Sequence, residues 1–172
     1  MLHAEILNQL NKQMNKEFYS AYLYLSVSSY FNSLNLDGFE QWTKVQAEEE
    51  LMHGMKIYHY LLERQAKVSL TDIPAPDHIW DSPVAAVEAI YRHECSLTGN
   101  IHSILKAARE HNDYPTEVFL HWFITEQIEE ETMADKVLQK LKLIGDNGGA
   151  LLMLDDQLQK VSPQKSGKQE PA

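Results

Sequence analysis

Apolar residues recur along this chain at three- and four-residue steps rather than in alternation, the signature of helices that pack by one face. Breaks between these stretches are few, and they mark four long helices and a short one. α1 is predicted from about Ala4 to Leu34, ending at the turn Asn35-Leu36-Asp37-Gly38. Asp37 followed by Glu40 has the form of a capping box, so α2 is predicted to start there and run to about Ala66. Lys67 to Ser82 contains Pro74 and Pro76 and cannot be regular helix. Ser82-Pro83 reads as an N-cap followed by a first-turn proline and opens α3, which fades at His111-Asn112. Pro115 opens α4, which stops near Gly145, and Leu151, Leu152, Leu154 and Leu158 make a short amphipathic α5. From Ser162 the chain is polar, so residues 1–161 are expected to form one all-α domain and residues 162–172 a flexible tail.

The two short turns make α1/α2 and α3/α4 antiparallel hairpins. The long link between α2 and α3 could run the length of the bundle, at about 3.3 Å per extended residue. That predicts a four-helix bundle with one long crossover, although an up-down-up-down bundle with a slack loop satisfies the same pattern. The core stripes are Leu10, Met14, Glu17, Ala21 and Tyr24 on α1, and Phe39, Trp42, Gln46, Glu50, His53, Ile57 and Tyr60 on α2. On α3 the stripe is Val87, Tyr91, Glu94, Thr98, Ile101 and Leu105. On α4 it is Leu120, Phe123, Gln127, Glu130, Ala134, Val137 and Leu141.

Composition narrows the partners. The 172 residues carry 15 Lys+Arg against 25 Asp+Glu, a net charge of −10, which argues against a polyanion such as nucleic acid. No apolar run is long enough to cross a membrane. The start MLHAEILNQL lacks a basic stretch followed by an apolar one, so a cytoplasmic protein is expected. The single cysteine, Cys95, excludes an internal disulfide and a thiolate metal cluster, and is expected to be a buried, inert thiol rather than a redox sensor beside Glu94.

Each core stripe is interrupted near its middle by a carboxylate. Counted back from the turns, Glu17 and His53 lie level in the first hairpin, and Glu94 and Glu130 lie within about 3 Å of level in the second. Taken singly, each reads as ordinary solvated surface. Four glutamates together inside an apolar bundle cannot all ionise without compensation, and no Lys or Arg falls on the stripes at this level. The compensation is then protons or metal ions, and two divalent cations would balance four carboxylates. Oxygen-rich ligands with one imidazole suit iron or manganese. Glu50 and His53 share a helical face one turn apart and can reach one ion.

With these features the sequence resembles the ferritins of the non-haem bacterial type, from Met1 to about Lys160. The strings that carry the likeness are NKEFYSAYLY at 15–24, QAEEELMH at 46–53, YRHE at 91–94 and FITEQIEE at 123–130. The resemblance implies that Glu17 and His53 hold one iron, Glu94 and Glu130 the other, and that Glu50 bridges them. It also implies a nearby or weakly ligating Gln127 and a Tyr24 that hydrogen-bonds the site and donates an electron. Glu49, Glu126 and Glu129 resemble a third, looser iron site, and Trp122 an auxiliary reductant or plain packing. The implied activity is ferroxidation, with Fe²⁺ and O₂ or peroxide as reactants and ferric mineral stored in a homo-oligomeric cage of twenty-four subunits.

Departures sharpen this. Gln127-Ile128-Glu129-Glu130 replaces the second E-x-x-H of bacterioferritins and rubrerythrin-like proteins, and Leu51 follows Glu50 where bacterioferritins carry a haem-ligating methionine, so no haem is expected. Animal ferritins place two acidic residues at a three-fold pore; here Glu117 and Leu120 stand in the matching stretch. The leucine face of α5 is expected to pack around a symmetry axis. The rival readings are a di-iron or di-manganese oxidase or peroxidase with an open substrate pocket, and a structural helical oligomer with protonated glutamates.

Overall fold

The computed structural model describes residues 2–160; the polar tail expected at 162–172 lies outside the described residues. The helices are α1 (Ala4–Ser33), α2 (Asp37–Glu63), α3 (Pro83–Glu110), α4 (Tyr114–Ile144) and α5 (Gly148–Gln159). The first three end in the same way, on a residue in the left-handed region: Asn35, Gln65 and Asn112. Behind each, an amide reaches back five residues, Leu36 to Phe31, Ala66 to Leu61 and Asp113 to Ala108. Gln65 has no turn propensity of its own, which is why α2 reads about three residues too long from the sequence. Ser82 caps α3 as expected, accepting from the Ala85 amide. Asp113 caps α4 through the Thr116 amide.

The capping box at Asp37 and Glu40 does not form. Asp37 is already the first helical residue, and its N-cap Leu36 has no side chain that can accept. The free Phe39 amide instead donates to Asp155 Oδ1 on α5 at 2.9 Å. A carboxylate from the far end of the chain thus caps α2.

Two apolar clusters set the direction of every helix. One unites Val27 and Phe31 with Phe39, Trp42, Val87, Ile90, Val137 and Leu141; the other unites Ile6 and Leu10 with Ile57, Leu61, Ile101, Ile104, Leu120 and Phe123. The start of α1 therefore meets the ends of α2 and α3 and the start of α4. α2 and α3 are parallel, and the segment between them must travel the full bundle. It does so along α1: Asn11 and Asn15 donate to the carbonyls of Lys67 and Ser69 and accept from the amides of Ser69 and Thr71, and Ser26 donates to the Asp77 carbonyl. The long-crossover bundle is the fold, and the up-down-up-down alternative is excluded.

Several details depart from expectation. On α3, Tyr91, Thr98 and Leu105 are only half-buried; the inner line is Val87, Ile90, Glu94, Leu97, Ile101 and Ile104. Leu154 and Leu158 of α5 are buried against their own bundle, which leaves Leu152 and Met153 as its exposed apolar residues. The leucine face is thus used within the chain. Leu120 is 1% exposed and belongs to the core, so it cannot line an opening between subunits, and Cys95 is exposed. Among the described residues no helix is long and apolar enough to cross a membrane.

The docking of α5 is tight at Gly38, where an added Cβ would stand 1.9 Å from the Asp155 carbonyl oxygen. Gly38→Ala should therefore destabilise the protein by about 1–3 kcal/mol in urea unfolding, although alanine is the better helix former. A rise in the urea midpoint would show that α5 is not held there.

Candidate metal centre

Between the two apolar clusters the four long helices each present a carboxylate to the interior. Glu17, Glu50, Glu94 and Glu130 are all buried, Glu17 and Glu94 at 0% exposure, and His53 is buried beside them. Helix spacing places each on the inward line, and a close approach brings α1 to α2. The Phe18 ring would lie 2.4 Å from a Cβ at Gly54, so only glycine lets Glu17 sit next to His53.

Donor atoms of Glu17, Glu50 and His53 lie within 4.8 Å of one another, and so do those of His53, Glu126 and Glu130. His53 is common to both groups. Glu94 stands outside them and is held in place: Tyr24 donates to its Oε1 at 2.8 Å, and the Gln127 amide lies 3.3 Å from its Oε2. Glu49 and Glu126 are half-buried and Glu129 is exposed. The Glu49 carboxylate accepts from Gln46. Of the trio Glu49, Glu126 and Glu129, the fold brings Glu126 to the buried centre and leaves Glu49 and Glu129 outside both groups. Trp122 and Phe123 set their rings against His53, with centroids 5.3 and 6.2 Å from it, and Lys56 lies over Trp122.

The electrostatics are those of a site short of positive charge. Burial, reinforced by the Glu50 carboxylate, pushes Glu17 well above the usual carboxylate range. Burial together with Glu94 and Glu130 does the same to Glu50, and burial with Glu94 does so for Glu130. Glu94 is pushed up to about 7, chiefly by burial, against the opposing hydrogen bonds of Tyr24 and Gln127. Burial also raises the Tyr24 hydroxyl, with the Glu94 charge adding to it, so this tyrosine is a neutral donor. Glu49 and Glu126 are raised by burial as well. Among the described residues no Lys or Arg pairs with the four central carboxyls; the nearest base is His53, whose Nδ1 lies 3.6 Å from Glu50 Oε1. Glu17 Oε2 and Glu50 Oε2 are buried with no hydrogen-bond partner. Such oxygens are satisfied by a proton held between the two carboxyls or by a cation.

Gln13 was not legible as a site residue, yet its amide donates to Glu17 Oε1 at 2.7 Å. Its position four residues before Glu17 is the only signal the sequence offers. One turn further along α1, His93 faces the buried Ser20 at 2.7 Å, and burial drives its imidazole down to about 4.

Comparison with known proteins gives the family. The family described as the ferritin-like domain matches residues 7–144. A bacterial non-heme ferritin of Campylobacter jejuni is 36% identical over 162 residues, covering 94% of this chain and 97% of that protein. One from Staphylococcus saprophyticus is 35% identical over 158 residues, covering 92% and 95%. The open pore ferritin of the hyperthermophilic archaeon Archaeoglobus fulgidus superposes with a TM-score of 0.92 at 44% identity, covering 94% of this chain and 100% of that one.

A carboxyl whose folded pKa exceeds its unfolded value binds a proton more tightly when folded. That contribution is complete below pH 4.5 and disappears as the pH rises through about 7 for Glu94. Metal-free protein should therefore lose about 3 kcal/mol relative to its Glu94→Gln variant across that interval. Urea unfolding of both proteins in chelator, at a series of pH values, measures the difference; a constant gap would mean that Glu94 is already ionised in the metal-free fold.

Proposed function

The chain belongs to the ferritin-like family, and on that premise we propose that it is an iron-storage ferritin with ferroxidase activity. Its substrates are Fe²⁺ and O₂ or peroxide. The observation that carries this reading is the pair of orphaned oxygens, Glu17 Oε2 and Glu50 Oε2, inside a buried set of four carboxyls and one imidazole with which, among the described residues, no lysine or arginine pairs. Two ferrous ions supply four positive charges against four carboxylates. In this assignment Glu17 and His53 hold one ion, Glu94 and Glu130 the other, Glu50 lies between them, and Gln127 is a weak or neighbouring ligand.

The chemistry follows from the donors. Carboxylate oxygens favour Fe³⁺ over Fe²⁺, which eases oxidation. Each ion gives up one electron, and the pair reduces O₂, with two protons, to hydrogen peroxide, or peroxide to water. The carboxyls that are protonated in the empty site release their protons as iron enters. Tyr24, donating to Glu94 at 2.8 Å, orients that carboxylate and stands close enough to serve as an auxiliary reductant. His53 is confined by the Trp122 and Phe123 rings. Glu126 is grouped with His53 and Glu130, and Glu49, Glu126 and Glu129, with Glu130 shared, form a looser third iron position on the way to storage.

The product is stored in a cage of twenty-four copies in the cytoplasm, without haem. The rival oxidase reading calls for a substrate cavity beside the metals. A cavity of about 850 Å³ lies between α1, the crossover and α3, lined by Lys12, Lys16, Thr71 and His93 and by none of the five central residues.

Aerobic Fe²⁺ addition followed by stopped-flow absorbance tests the reading. Glu50→Ala should slow the fast oxidation phase by about a hundredfold with the helical circular dichroism unchanged; a wild-type rate in that variant would remove Glu50 from the site. Glu49→Ala combined with Glu126→Ala should leave the first fast phase intact and alter the slower turnover and the iron-to-oxygen ratio. Loss of the fast phase in the double variant would place those residues among the first ligands.

A further inference from the structure

A second group of metal-binding side chains lies at the opposite end of α1 from the crossover's exit, outside the buried centre. His3 is the N-cap of α1, Glu5 is in its first turn, and His111 is the C-cap of α3. Their donor atoms lie within 4.8 Å of one another. The His3 and His111 rings are stacked, with centroids 3.5 Å apart and planes 22° from parallel. His111 Nε2 stands 3.2 Å from Glu5 Oε2. Along α1 the trio is about 18 Å from Glu17.

We propose that His3, Glu5 and His111 form a separate, solvent-accessible site for a borderline first-row divalent cation, of which Zn²⁺ is the convenient probe. Two imidazoles and one carboxylate are a donor set for such ions, and their exposure leaves the remaining coordination positions to water. Donors on a tetrahedral ion at about 2.1 Å stand about 3.4 Å apart. The Glu5 and His111 pair already has that spacing, so only the His3 ring has to adjust. Each ring must hold the ion in its own plane, so the two stacked imidazoles have to turn out of their near-parallel arrangement, and His3, at the helix end, is the one that turns. The bond that ties His3 Nδ1 to the Glu5 amide is long, 3.4 Å, and little is lost if a cation replaces it. A bound ion would clasp the first turn of α1 to the C-terminus of α3, whose carbonyl end favours positive charge.

The test titrates metal-stripped, full-length protein with Zn²⁺ by calorimetry and soaks crystals in the same ion for anomalous diffraction. Wild type should bind one more Zn²⁺ per subunit than the variant carrying His3→Ala and His111→Ala, with an anomalous peak among the three side chains. Glu5→Gln, which keeps both rings and the helix start, should weaken that site while leaving uptake at the buried centre unchanged. Equal Zn²⁺ stoichiometry in wild type and the double variant, or density only at the buried centre, would reduce the trio to a surface ion pair. Glu50→Ala should not affect the peripheral peak, so this site stands or falls independently of the ferroxidase reading.

Discussion

Four carboxyl groups buried at one level of an apolar bundle are the constraint around which the molecule is arranged. In water each would be ionised at neutral pH; inside the bundle, without a cation, the ionised form is so costly that protons are retained instead. Among the described residues no lysine or arginine pairs with these carboxyls, and besides the imidazole of His53 the fold supplies hydrogen-bond donors from Gln13, Tyr24 and Gln127. It tolerates the cost because the level is flanked by two dense apolar clusters that hold the helices together from either end. The same charge deficit that weakens the empty protein provides the driving force for taking up cations.

That arrangement needs a donor from every helix at the same height, and chain direction decides whether this happens. With α2 and α3 parallel, the second hairpin is placed so that Glu94 and Glu130 come level with Glu17 and Glu50. The crossover makes this possible, and it is held to α1 by polar contacts, most of them from Asn11 and Asn15 to its main chain. Those two side chains act as substitutes for a strand partner, satisfying backbone groups of a segment with no ladder of its own. A similar substitution occurs at the start of α2, where Asp155 supplies the cap that the local sequence does not.

Much of this was legible in the sequence. Helical periodicity identified the elements to within a few residues, because burying one face of a helix imposes a 3.6-residue repeat on the side chains themselves. Counting from the turns was enough to level Glu17 with His53, since rise per residue is a property of the helix alone. Every residue placed on the stripes of α1, α2 and α4 is buried, although Val27, Phe31 and Leu61 were left off them. Identical reasoning failed where a second partner decides: α3 turns Ile90, Leu97 and Ile104 inward in place of Tyr91, Thr98 and Leu105, and nothing in its own periodicity separates these two adjacent lines.

Only the tertiary structure could settle which end of the bundle each helix faces, because a loop of fixed length permits both topologies until its polar groups find partners. It alone showed that Leu154 and Leu158 of α5 are buried within the chain, that Leu120 is core, that Cys95 is exposed, and that Glu126 joins His53 and Glu130 while Glu129 does not. It also brought His3 to His111 across more than a hundred residues. Each of these depends on distances between segments remote in the chain. Local sequence determines what a helix can present, whereas packing determines what it meets.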